Sequence, residues 1–212
     1  MDLFTFFRSS TSFRLRIALA WKGLEYTPHY VSLPKMEHRQ DSYMAMNPQG
    51  LVPALVDDGN VYTQSLAIMD YLDEAYPEPP FLPKALPDRA YVRALSQIIG
   101  CDIHPLNNVR VLKYLQSRWE LSDAERDEWY QHWIAEGLRS FEATLAGSGK
   151  SGRYCHGDTI TAADICLVPQ VFNAQRFNCD LTPYPRVMAI TAACMDLPAF
   201  EKTQPKYQPD AF

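Results

Sequence analysis

The stretch that decides the fold is Asp2–Leu19, "DLFTFFRSSTSFRLRIAL". "DLFTFF" is a β-rich apolar run, and "TSFRLRIALAWKG" reads as a helix with Gly23 as its stop. Between them stand Ser9, Ser10, Thr11 and Ser12 in an unbroken run. One helix needs one N-cap, and a single Ser or Thr satisfies it. A strand–turn–helix junction exposes backbone N–H groups at the positive end of the helix dipole, so it favours an anion. If that anion is a thiolate, hydroxyl donors add hydrogen bonds and keep it ionised. Residues 1–100 contain no cysteine, so such a thiol has to come from a ligand. A plain cap is the alternative reading of the run.

Working outward, "YTPHYVSL" is a second strand, with Pro28 pointing to a sheet edge. "DSYMAMNP" is a short helix ended by Asn47-Pro48. "VPALVDDGNVYTQ" is two strands joined at Asp58-Gly59, a strong hairpin signal. "SLAIMDYLDEAYP" is a helix capped by Ser65 and stopped by Pro77. The order β-α-β-α-β-β-α predicts a small mixed sheet with helices packed on it. Residues 77–87 hold Pro77, Pro79, Pro80, Pro83 and Pro87, which makes a stiff linker. Beyond it every segment reads as helix. Asp88–Trp119 is helical with a break near His104-Pro105, and 122–146 is followed by Gly147 and Gly149. A third helix opens where Thr161 and Asp164 stand at capping-box spacing and Ile160 and Ile165 at staple spacing. "TPYPRVMAITAACM" supplies a fourth. The expected class is α/β plus all-α, with residues 1–80 and 88–212 as separate domains.

Composition narrows the function. The net charge is −5 and the pI about 5.5, which argues against a nucleic-acid partner. No run approaches the length of a membrane span, and "MDLFTFF" lacks the pattern of a signal peptide. Cys101, Cys155, Cys166, Cys179 and Cys194 are odd in number and form no C-x-x-C pair, which disfavours a disulfide framework or zinc site and suits a reducing cytoplasm. The histidines show no metal-ligand spacing, so no metal is expected.

Two further motifs bear on a site. In "NPQGLVPAL", Pro53 precedes a strand. A cis Val52–Pro53 bond would turn the Val52 N–H and C=O outward to pair with an extended peptide ligand, whereas a trans bond is an ordinary strand start. In "TQS", Ser65 caps a helix whose N-terminus can hold a carboxylate, or serves as a cap alone.

The succession of "SSTSFRLRIAL", "NPQGLVPAL" and "TQSLAIMDYL", then a proline linker and helices, resembles the cytosolic glutathione transferases. "CDIHPLNNVRVLKYL" and "GRYCHGDTITAADICLVPQVFNAQRF" narrow the resemblance to the zeta class, which includes the maleylacetoacetate isomerases. It covers nearly the whole chain. It implies a thioredoxin-like domain that binds glutathione and a helical domain that binds substrate, usually in a homodimer. It also implies site residues. Ser9, Ser10 and Thr11 would hold the glutathione thiolate, and Val52, with Pro53, would pair with the cysteinyl backbone. Gln64 and Ser65 would take the γ-glutamyl carboxylate, His38 and Gln49 the glycyl end. His104 and Asn108, at i and i+4, would complete the pocket. The substrate class is a small enone carrying two carboxylates, for which Arg8, Arg110 and Arg176 are the expected clamp, because arginine binds carboxylates bidentately. Arg14 and Arg16, inside the helix, are expected to be solvated. The implied reaction is cis–trans isomerisation by reversible thiolate addition, acting on maleylacetoacetate or on maleylpyruvate of gentisate-type degradation. A general transferase for α-halo acids and a non-enzymatic interaction protein are the other readings. One departure stands out: many zeta proteins carry cysteine where this chain has Thr11, which counts against chemistry needing a protein–glutathione disulfide.

Overall fold

The computed structural model describes residues 1–212. They form two compact units, Met1–Phe81 together with Met195–Phe212, and Leu82–Cys194. In the first unit β1 (Asp2–Thr5), α1 (Ser10–Lys22), β2 (Thr27–Tyr30), α2 (Asp41–Met46), β3 (Ala54–Asp57), β4 (Asn60–Thr63) and α3 (Ser65–Ala75) follow in the expected order. The strands make one mixed sheet, β2-β1-β3-β4. β1 pairs parallel with β2 and antiparallel with β3, which pairs antiparallel with β4. Pro28 sits on the edge strand β2, where one face of the ladder is open and its missing N–H is tolerated. Asp58 and Gly59 both take positive φ, 47° and 74°, as a two-residue hairpin turn requires.

Leu3 and Leu55 of the sheet, Leu15 and Leu19 of α1, and Ile68 and Leu72 of α3 are fully buried. Each such side chain stabilises the unit by about 1.5–3 kcal/mol. Strand β1 stops at Thr5, before Phe6 and Phe7. These rings instead join Val31, Tyr43 and Val52 in a second apolar cluster. The chain therefore turns at Phe6–Arg8, and the Ser9 N–H donates to the Phe6 carbonyl at 3.1 Å. Helix α1 ends at Gly23 in the left-handed region, φ 66°.

Arg14 and Arg16 are not solvated: each is 1% exposed. Arg14 donates to the Ser65 hydroxyl at 3.2 Å. Arg16 donates to the carbonyls of Phe7 (3.0 Å) and Thr203 (3.1 Å) and to the Thr5 hydroxyl (3.3 Å). Burial pulls its pKa down to about 10, partly offset by the charge of Asp210 and neighbouring tyrosines. Backbone carbonyls brought in by other segments make this burial affordable.

In the second unit the helices are α4 (Leu86–Gln97), a π-helical stretch at Ile98–Ile103, α5 (Val109–Trp119), α6 (Asp123–Ser148), α7 (Ala162–Arg176) and α8 (Pro185–Met195). Ser122 and Glu125 form a capping box at the start of α6. Gly147 lies inside that helix and Gly149 caps it, φ 63°. Gly137 marks a close crossing: a Cβ there would stand 2.1 Å from Cγ1 of Ile103. At α7 the fully buried Asp164 carboxylate accepts from the N–H and hydroxyl of Thr161 and the N–H of Cys155, each at 2.8 Å.

Sequence alone places all of 88–212 in the helical domain. By its contacts Met195–Phe212 groups with the first unit. There α9 (Pro198–Glu201) packs on α1, and Phe200 is fully buried. No helix is long and apolar enough to cross a membrane.

Candidate functional site

The start of α1 carries a directed chain of hydrogen bonds. Ser9 is the N-cap, with extended backbone (φ −70°, ψ 120°), and its Oγ accepts the Ser12 N–H at 3.2 Å. Thr11 Oγ1 donates to the Val52 carbonyl at 3.0 Å. Ser9 Oγ and Thr11 Oγ1 are 2.9 Å apart. A hydroxyl has one proton. Since that of Thr11 goes to a carbonyl, Ser9 is the donor to Thr11. Ser10, the first helical residue, is buried. So is Ser12, whose Oγ accepts the Phe6 N–H at 3.4 Å. The hydroxyl run thus divides into a half-buried pair, Ser9 and Thr11, and a buried pair, Ser10 and Ser12, of which Ser12 braces the turn.

The Val52–Pro53 peptide is cis. The Val52 carbonyl accepts from Thr11 Oγ1 and, with two lone pairs, keeps room for a second donor. Nearby, Gly50 has φ 57° and no room for a side chain, since a Cβ would come within 2.8 Å of Arg39 Nη1 and Met44 Sδ. That glycine lets the Asn47–Leu51 loop fold tightly, with Tyr43 Oη and Asn47 Nδ2 both donating to the Leu51 carbonyl, at 2.6 and 2.7 Å.

Gln64 and Gln49 meet: Nε2 of Gln64 donates to Oε1 of Gln49 at 2.6 Å. Gln64, not Ser65, is the N-cap of α3, and it holds the unusual backbone φ 68°, ψ 111°. Ser65 is the first helical residue, with the buried Arg14 guanidinium on its hydroxyl. A cation behind a helix N-terminus suits a carboxylate ligand. His38 lies buried in a 3₁₀ turn, Glu37–Arg39. Arg8 projects beside the turn, with its guanidinium carbon 5.5 Å from the Phe7 ring centre and 5.6 Å from that of Phe212.

In the helical unit His104 and Asn108 do not share a helix face. His104 closes the π-helical stretch, and Asn108 is the N-cap of α5, its Oδ1 accepting the Arg110 N–H at 3.1 Å. The Pro105 turn separates them. This turn is fastened to α6: Trp129 Nε1 donates to the Leu106 carbonyl (3.0 Å) and Asn107 Nδ2 to that of Tyr130 (3.1 Å). The Tyr130 ring stacks on Phe177 at 3.6 Å. Arg176, next to Phe177, has its guanidinium on Asn173 Oδ1 (3.4 Å) and near the Phe172 and Phe177 rings. The "HPLNN" and "NAQRF" motifs are thereby linked through one tyrosine. Arg110 is exposed and lines an open cavity of about 780 Å³ with Lys113, Tyr114, Gln116 and Ser117. Lys113 stands three positions after Arg110 on α5, a spacing that sets the two on neighbouring positions of one helix face. Sequence reasoning missed Arg14 as a partner of Ser65. No cluster of three or more His, Cys, Asp or Glu residues is arranged to hold a metal ion.

Comparison with known proteins bears directly on this geometry. Residues 8–75 match the glutathione S-transferase N-terminal domain family. A maleylpyruvate isomerase from Ralstonia sp is 50% identical over 211 residues, covering 100% of both chains. A holo structure of maleylpyruvate isomerase, described as a bacterial zeta-class glutathione S-transferase, superposes with TM-score 0.98 at 50% identity over 100% of both chains.

The chain belongs to the zeta-class glutathione transferases. Another structure similar to this zeta-class chain is a maleylacetoacetate isomerase from Methylobacterium extorquens AM1 with bound malonate and glutathione. Its TM-score is 0.97 at 36% identity, again over 100% of both chains. The side chains of this zeta-class protein fit the tripeptide's chemistry. Hydroxyls at the start of α1 suit the sulfur, and Ser65 backed by Arg14 at the start of α3 suits a carboxylate.

Proposed function

We propose that this protein is a glutathione-dependent cis–trans isomerase of a maleyl keto acid, with maleylacetoacetate as the first substrate. The observation that carries the reading is the Ser9–Thr11 hydroxyl pair at the N-terminus of α1, in a unit that contains no cysteine. Glutathione, when bound, supplies the thiolate that adds reversibly to the conjugated double bond and so permits rotation about it. Ser9 rotates its proton from Thr11 to the sulfur, and the α1 dipole favours the charge. Gln64 and Ser65, with Arg14 behind, hold a carboxylate of the tripeptide. Val52, Pro53, Gln49 and His38 orient its backbone and other end. Arg8, Arg110 and Arg176 bind the substrate carboxylates and offset the negative charge that grows on the keto oxygen. The resident assembly is a homodimer in the cytoplasm.

Maleylpyruvate is the second reading, and one observation favours it: the full-length relative at 50% identity is a maleylpyruvate isomerase. The deciding experiment measures kcat/KM on both maleyl acids with and without glutathione. Turnover on at least one, and none in thiol-free buffer, is expected. Equal turnover without glutathione would reject the reading, because it would place the nucleophile in the protein.

A further inference from the structure

We infer that Asp210 and Phe212 are positioning residues for the thiolate turn, Asp210 through the backbone that carries Ser9 and Phe212 through Arg8. This deepens the isomerase reading and rests on it. The Phe6–Arg8 turn is the hinge between β1 and the Ser9 cap, so its backbone sets where the Ser9 hydroxyl stands. Its polar groups are fastened from two directions. From α1, Arg16 donates to the Phe7 carbonyl at 3.0 Å and reaches that of Phe6 at 3.5 Å, and Ser12 accepts the Phe6 N–H. From the C-terminal segment, Asp210 Oδ2 accepts the Phe7 N–H at 2.9 Å, across 203 positions of sequence.

The Asp210 carboxylate is not an ordinary surface group. Its second oxygen, Oδ1, is buried and makes no hydrogen bond. A carboxylate oxygen left bare is costly unless a cation compensates. Arg16 is the buried cation on which the Asp210 charge acts. The same Arg16 holds Thr203 of the C-terminal segment at 3.1 Å. The segment itself is built in rather than loosely draped. Phe200 and Pro205 are buried, and successive turns close through Tyr207 N–H to Gln204 O (3.1 Å) and Ala211 N–H to Gln208 O (3.0 Å).

Phe212 continues from this anchor. Its ring meets Phe7 edge-on at 5.0 Å, and Arg8 lies over both rings. Phe212 is 81% exposed, so little apolar burial explains its placement. Holding Arg8 does. A long arginine side chain otherwise samples many rotamers, and fixing it before a carboxylate arrives lowers the entropy lost on binding.

The test uses the full chain with Asp210→Ala, Asp210→Asn and Phe212→Ala, alone and combined with Ser9→Ala or Arg8→Ala. Three quantities are read: the titration of bound glutathione by thiolate absorbance, KM for glutathione and KM for the maleyl acid. Phe212→Ala is expected to raise the maleyl-acid KM about two- to fivefold, the equivalent of ~0.5–1 kcal/mol for an exposed cation–ring contact. It should leave the glutathione KM unchanged and add nothing once Arg8 is alanine. Asp210→Ala should raise the bound-thiol pKa by roughly half a unit to one unit, as expected when a charge-assisted hydrogen bond behind the donor is lost. The shift should vanish in the Ser9→Ala background. Asp210→Asn keeps an acceptor for Phe7 and should recover most of it; if the alanine variant does not fold, the asparagine and Phe212 variants carry the test. Equal rises in both KM values, or a thiol shift that persists without Ser9, would overturn the inference while wild-type turnover upheld the isomerase reading. Failure of the wild type to bind glutathione would overturn both.

Discussion

Ser9→Ala separates the two half-buried hydroxyls. In the structure the Thr11 proton lies on the Val52 carbonyl and the Ser9 proton on Thr11. A sulfur arriving at α1 can take the Ser9 proton by simple rotation of that hydroxyl, and Thr11 keeps its own bond. For Thr11 to donate, it must abandon a carbonyl in the same step. Ser9 is therefore the less costly donor. A hydrogen bond to a charged group contributes about 1.5–3 kcal/mol, and one pKa unit corresponds to about 1.36 kcal/mol. Ser9→Ala should raise the bound-thiol pKa by about one to two units, toward the free value near 8.5. The sign follows from the depressed thiol: below the wild-type pKa the rate falls about ten- to hundredfold, and the deficit closes as pH rises past the variant's pKa. Ser9 also caps α1 through the Ser12 N–H, so the alanine variant loses about 0.5–2 kcal/mol of stability. Glycine at a cap costs only a few tenths. Ser9→Gly should then show the same thiol shift with a smaller loss of Tm, which separates donor from cap. Thiolate absorbance against pH is the assay. Overlaid curves for wild type and Ser9→Ala, with a strong shift in Thr11→Ala, would refute the assignment.

Other outcomes follow from the same geometry. Arg110→Ala and Arg176→Ala should each raise the maleyl-acid KM roughly tenfold while the glutathione KM stays level; steady-state kinetics with each substrate varied in turn checks this. Gly137→Ala forces a methyl against Ile103 and should cost about 1–3 kcal/mol by urea unfolding, partly restored by Ile103→Val. Asp164→Ala strands the N–H groups of Cys155 and Thr161 in the core, each costing about 1–3 kcal/mol, so thermal unfolding should drop by several degrees or expression should fail.

Much of the first unit is written in local chemistry. Asp58-Gly59 forms its hairpin because both residues tolerate positive φ, and Gly23 ends α1 for the same reason. Pro28 lies at an edge because it lacks a donor. Thr161 and Asp164 are three positions apart, so their bonds at the start of α7 are visible in the string. The candidate residues at Ser9, Thr11, Gln49 and Gln64 were legible as motifs, and the structure brings them into pairs.

What escaped the sequence depends on segments far apart in it. Arg14 and Arg16 look like solvated charges on a helix, because nothing in their neighbourhood announces a buried acceptor. Ser65 lies 51 positions from Arg14, Thr203 lies 187 from Arg16 and Asp210 lies 203 from Phe7. The cap of α3 shifted from Ser65 to Gln64 because the loop imposes a backbone that glutamine's own preferences would not select. The order of strands and helices, the turns and the absence of a thiol near α1 belong to the sequence alone, since each rests on preferences acting over a few residues. Which cations are buried, which hydroxyl gives its proton to a backbone carbonyl, and that Met195–Phe212 joins the first unit were decided only in three dimensions, where a charge or a proton finds its partner through space rather than along the chain.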